Sequence, residues 1–137
     1  MHRKVTTIAA AALAAATLAA APPALARPRL TPEQQLSKLL AGRVAGEPQD
    51  CISLYPTQHT QVIDKTAIVY ESGGTLYVNR PDNPQDLGRD DILVTDLRGT
   101  TQLCSIDVVN LRDRTSFFYD GFVSLGKFVP YRRVTTN

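Results

Sequence analysis

The sequence predicts a mainly β fold, a small α+β domain. Short antiparallel strands form a curled sheet, barrel or sandwich, with one N-terminal amphipathic helix and one disulfide. Three observations carry this prediction. From Cys51 onward, short apolar runs are punctuated by turn residues at the roughly ten-residue spacing of small β folds. No helical segment separates these runs, so parallel strands would lack their crossovers. Two cysteines, Cys51 and Cys104, sit inside this region.

Residues 1–26 have the parts of a cleavable signal peptide in order. Arg3 and Lys4 favour the cytoplasmic side, Ile8 to Ala21 is an uncharged apolar run, and Ala24-Leu25-Ala26 supplies the small–x–small cleavage pattern, with the cut after Ala26. The run is mostly alanine and shorter than the roughly 20 residues a membrane-spanning helix needs. It therefore predicts no stable membrane anchor. Pro22 and Pro23 end any helix before the cut. The expected location is periplasmic or secreted.

Cleavage changes the charge. The precursor carries 15 basic and 13 acidic side chains; without Arg3 and Lys4 the mature chain has 13 of each. Nucleic-acid binders draw affinity from neutralising phosphates, and a chain of zero net charge with no basic stripe excludes that class. An oxidising compartment makes the two cysteines a disulfide. Closing a loop between positions 53 apart stabilises by roughly 4 kcal/mol on the chain-entropy model.

Residues 27–50 form the helix and a linker. Thr31 caps, Pro32 suits the first helical position, and Gln34 completes a capping box. Leu36, Leu39 and Leu40 make one apolar stripe, and Gly42 stops the helix. Residues 51–131 are the β-domain. Val62-Ile63 lead to a turn at Asp64-Lys65. Ala67–Ser72 and Thr75–Arg80 flank Gly73-Gly74 in a tight hairpin. That register pairs Tyr70 with Tyr77 on one face and Val69 with Val78 on the other, so both faces should be covered. Pro81 to Asp91 reads as a surface loop, Ile92–Val94 as a buried strand, and Leu103–Leu111 as one apolar segment. Asp113-Arg114 turns the chain, Asp120-Gly121 signals a second hairpin, and Leu125–Tyr131 forms the last strand. Residues 132–137 are a polar tail.

The stretches Asp50-Cys51-Ile52, Gly74–Pro81, Leu103–Asp107 and Leu125-Gly126-Lys127-Phe128-Val129-Pro130-Tyr131 carry a family resemblance. Their order is similar to that of small exported proteobacterial proteins, of the sphingomonad type, that hold a domain of unknown function. Members often have a second cysteine pair near the ending; Val123 and Ser124 stand in that region here. The resemblance implies export and fold, and no activity.

Few residues point to chemistry. His59 is the only histidine of the mature chain, among Thr57, Gln58, Thr60 and Gln61 in what reads as a solvated turn. A catalytic role would need a serine and an acid such as Asp64 or Asp107 beside it. Asp107 lies in an apolar segment, where a carboxylate needs a partner such as Arg98 or Arg112. Asp82, Asp86, Asp90 and Asp91 fit no calcium-loop spacing and are interspersed with Arg80 and Arg89. No metal site and no cofactor are expected. The sequence thus predicts a non-catalytic binding or structural envelope protein whose partner is another envelope protein or a small ligand. The alternative is a small secreted hydrolase or lyase using His59 with an aspartate.

Overall fold

The computed structural model describes residues 28–134. Residues 1–26, read as a signal peptide, and the expected cut after Ala26 lie outside the described residues. The helix α1 spans Pro32–Leu39 and opens on the expected capping box: the Gln34 N–H donates to Thr31 Oγ1 at 3.3 Å, and the Thr31 N–H donates to Gln34 Oε1 at 2.9 Å. Leu36 is buried, with Leu39 and Leu40 packed partly beside it.

Ten strands follow: β1 (Arg43–Ala45), β2 (Cys51–Ser53), β3 (Thr57–Ile63), β4 (Ala67–Ser72), β5 (Thr75–Asn79), β6 (Ile92–Thr95), β7 (Gln102–Cys104), β8 (Val108–Arg112), β9 (Tyr119–Ser124) and β10 (Phe128–Arg133). They form three antiparallel, unclosed sheets, ordered β1-β10-β5-β4-β3, β2-β7 and β6-β8-β9. Two apolar layers hold them together. Alternation along β4 sends Val69 and Ala67 to α1, where they meet Leu36, Leu76 and Val78. The other face sends Ile68 and Tyr70 into a core shared with Val109, Leu111 and Val123 of the three-stranded sheet and Ile52 and Leu103 of the two-stranded one. The five-stranded sheet is thus covered on both sides, as its hairpin pattern predicts.

The β4–β5 hairpin has the expected register, Tyr70 opposite Tyr77 and Val69 opposite Val78. Gly73 and Gly74 supply its positive φ values, 55° and 78°. Cys51 and Cys104 face each other directly across β2 and β7, with Cα atoms 4.0 Å apart, and are disulfide-bonded.

Several features differ from the sequence reading, among them Ile92–Val94, expected to be buried, where Val94 is exposed. Arg43–Ala45, read as linker, pairs with β10. Leu103–Leu111 is two strands, because Asp107 and Cys104 close a turn that leaves Ile106 89% exposed. Asp120-Gly121 is no turn: Gly121, at φ 122°, lies in β9 beside a register shift. The reversal is made earlier, where Asp113 Oδ1 accepts the N–H groups of Thr115 and Ser116. Finally, β10 continues through Arg132 and Arg133, the start of the expected tail.

Candidate functional site

Two strand edges meet across a cleft. β3 ends the five-stranded sheet and β6 ends the three-stranded one, so each bonds a neighbour on one side only. Between them lies a cleft of about 730 Å³, within the range of ligand sites. Thr60, Gln61 and Val62 of β3 form one wall; Ile92, Leu93 and Thr95 of β6 form the other. Both walls are uncharged.

Tyr70 lies at the floor. Its residue is 4% exposed, and its ring packs edge-on against Phe128 with centroids 5.9 Å apart. The Tyr70 Oη is buried and makes no hydrogen bond with any described group. Burial alone pushes its phenol well above the usual tyrosine range, because the phenolate would lose its water. Buried polar groups are normally paired. Among the described residues this hydroxyl is the one buried side-chain nitrogen or oxygen without a partner.

The rim is charged. Arg89 comes from the loop before β6, and Arg114 comes from the turn after β8. Arg114 Nε donates to the backbone carbonyl of Asp90 at 3.1 Å, which brings the two segments together. Neither guanidinium joins an ion pair among the described residues. Asp91 lines the same cleft, with Oδ2 accepting the Gly88 N–H at 2.7 Å. Burial raises its carboxyl above the usual range, the Gly88 N–H pulls it back, and the charges of Asp120, Asp113 and Asp90 push it further up.

His59 is exposed on β3 and borders the cleft, in a strand rather than a turn. Asp107 is elsewhere, at the β7–β8 turn. Its Oδ2 accepts the Cys104 N–H at 2.7 Å, so a backbone amide takes the place of the expected arginine. Arg98 stands 4.0 Å from Asp96, and Arg112 Nη1 donates to the Phe117 carbonyl. Asp64 accepts the Arg89 N–H at the β3–β4 turn. The two weak candidates, His59 and Asp107, are therefore not brought into one site; His59 shares the cleft with Asp91 instead.

Of the loop acids, Asp86 and Asp91 bond locally. Asn83 Nδ2 donates to Asp86 Oδ2 at 2.9 Å and to the Phe122 carbonyl at 2.8 Å. Among the described residues no three His, Cys, Asp or Glu side chains converge as a metal group, and no helix is long and apolar enough to cross a membrane. The sequence reading missed Tyr70 as a site residue. Its only sequence signal is a phenol hydroxyl at the end of the apolar run Ala67–Tyr70. Compared with known protein families, curated proteins and solved structures, the chain matches none.

Proposed function

We propose that this protein is an exported, non-catalytic binding module whose ligand occupies the cleft between β3 and β6. One observation carries the reading: a buried hydroxyl, without a partner among the described residues, on a tyrosine that lines a cleft of about 730 Å³. Leaving such a group unpaired costs about 1–3 kcal/mol. A ligand acceptor or donor at that point recovers it, and recovers it only in the bound state. Export is supported by the signal-like N-terminus and by a disulfide of the kind that persists in oxidising compartments. The partner is then another envelope protein or a small envelope ligand.

Site-specific photo-cross-linking in the producing cell tests this. Benzoylphenylalanine replaces Gln61 in the cleft wall or, as a control, the exposed Ser37 of α1. A discrete adduct from position 61, absent from position 37 and weakened by Tyr70→Phe, is the expected result. Identical adducts from both positions, or none from position 61, would remove the cleft as the site.

A further inference from the structure

The walls of the cleft differ from the free edges at the opposite ends of the same two sheets, β1 and β9, in one respect. Exposed strand edges are normally blunted by charge, by shortness or by a covering segment, because unpaired N–H and C=O groups invite another strand. β1, the opposite edge of the five-stranded sheet, is three residues long and carries Arg43. β9 is covered: the Asp82 N–H donates to the Ser124 carbonyl at 3.0 Å, and Asn83 bonds both Phe122 and Ser124. β3 is seven residues long, holds no Lys, Arg, Asp or Glu, and opens onto the cleft. β6 is uncharged as well.

We infer that the cleft takes an extended polypeptide segment of a partner protein, added as a strand to β3, with acidic side chains directed to Arg89 and Arg114. This rests on the binding reading above and names its ligand. An extended chain presents alternating donors and acceptors at about 3.3 Å per residue, the repeat that an unpaired edge offers. Two arginines without ion-pair partners stand at the rim, from two different loops. Acidic side chains two residues apart on an added strand fall on one face, about 7 Å from each other. They supply two carboxylates, whereas a single chain terminus supplies one. A polar side chain between them, pointing to the floor, gives the Tyr70 hydroxyl its partner.

The probe is a phage-displayed library of random nonapeptides, selected on the non-reduced protein. The best binder is resynthesised in three forms: internal with both ends capped, with a free C-terminus, and N-methylated at alternate amides. Isotope-labelled protein maps each by amide shifts. The expected outcome is an acidic consensus and shifts centred on β3 and β6. Binding should weaken about tenfold in Arg89→Ala or Arg114→Ala at low salt, as charge-assisted contacts do. N-methylation of the edge-facing register should abolish it. Equal binding of the N-methylated peptide, or a requirement for the free C-terminus, overturns strand addition by an acidic segment while leaving the cleft a binding site. Peptides that shift only residues outside the cleft also overturn it. Should no peptide bind at millimolar concentration while a soluble oligosaccharide or aromatic fragment shifts Tyr70, the ligand class is wrong and the binding reading stands. If none of these probes shifts the cleft, both fall.

Discussion

Replacing Tyr70 with phenylalanine removes one oxygen from the floor of the cleft and leaves the ring, with its edge-on contact to Phe128 at 5.9 Å, in place. In the unfolded chain the phenol bonds water. In the folded chain its Oη is buried and bonded to no described group. The desolvation cost of an unpaired polar group is about 1–3 kcal/mol. Tyr70→Phe is therefore expected to stabilise the free protein, by about 1–2 kcal/mol. For a domain of about 100 residues each kcal/mol moves Tm by about 4–8 °C. Urea unfolding at neutral pH, with m unchanged, measures the gain directly. The same substitution should weaken ligand binding, so stability and affinity move in opposite directions, as at sites kept for function. The pH dependence has a definite sign. Burial raises the folded-state pKa of Tyr70 above its unfolded value of about 10. As pH rises past that value the unfolded chain gives up its proton first, so the wild-type protein becomes less stable still. Phenylalanine has no proton to lose, so its advantage should be wider at pH 10.5 than at pH 7. The other tyrosines are common to both proteins and cancel. A variant destabilised by 1 kcal/mol or more at neutral pH, or an advantage that narrows in alkali, would show that the hydroxyl is satisfied within the fold.

Other perturbations give equally direct expectations. Replacing Cys51 and Cys104 together by alanine opens a loop between positions 53 apart and should cost roughly 4 kcal/mol, read as a lower urea midpoint that added reductant leaves unchanged. Asn79 is fully buried, and its side chain bonds both the N–H and the C=O of Gly126, at 3.2 and 2.6 Å. Asn79→Ala leaves those groups unpaired and should cost about 2–3 kcal/mol by chemical denaturation. Gly126→Ala places a Cβ 2.6 Å from the Arg80 carbonyl oxygen, so the backbone must shift. A loss of about 1–3 kcal/mol is expected from overpacking, and a variant as stable as wild type would show that this turn is free to move. The Arg80–Glu33 pair, 2.8 Å apart and more than half exposed, ties α1 to the end of β5. Its hydrogen bond holds Glu33 below the usual carboxylate range, so its contribution is present above about pH 4.3 and is lost as pH falls through the lowered value. Solvent screening keeps Glu33→Gln below about 1 kcal/mol in thermal unfolding at pH 7, and smaller still at pH 3.

What the chain shows locally, the sequence shows well. The capping box at Thr31 and the Tyr70–Tyr77 register depend on residues within a few positions of one another, so spacing alone encodes them. Asp120-Gly121 misleads because the same backbone freedom serves a tight turn and a bulge; only the partner strand decides which. The pairing of Arg43–Ala45 with β10 has no local signal at all, since three unremarkable residues find a strand more than 80 positions away. The cleft is of the same kind. Its walls come from residues around 60 and around 93, its rim from 89 and 114, and the missing partner of Tyr70 Oη is a property of packing that no spacing records.

The position of β10 constrains how this chain can acquire its shape. The last strand of the described chain is not an edge but an inner member of the largest sheet, inserted between the first strand and the fifth. Phe128, wholly enclosed, arrives with it. Until those residues are available, β5 has an open side, β1 has nothing to pair with, and both apolar layers are incomplete. A molecule delivered N-terminus first through a narrow channel would therefore remain loose until the residues of β10 emerged, and could close only around that strand.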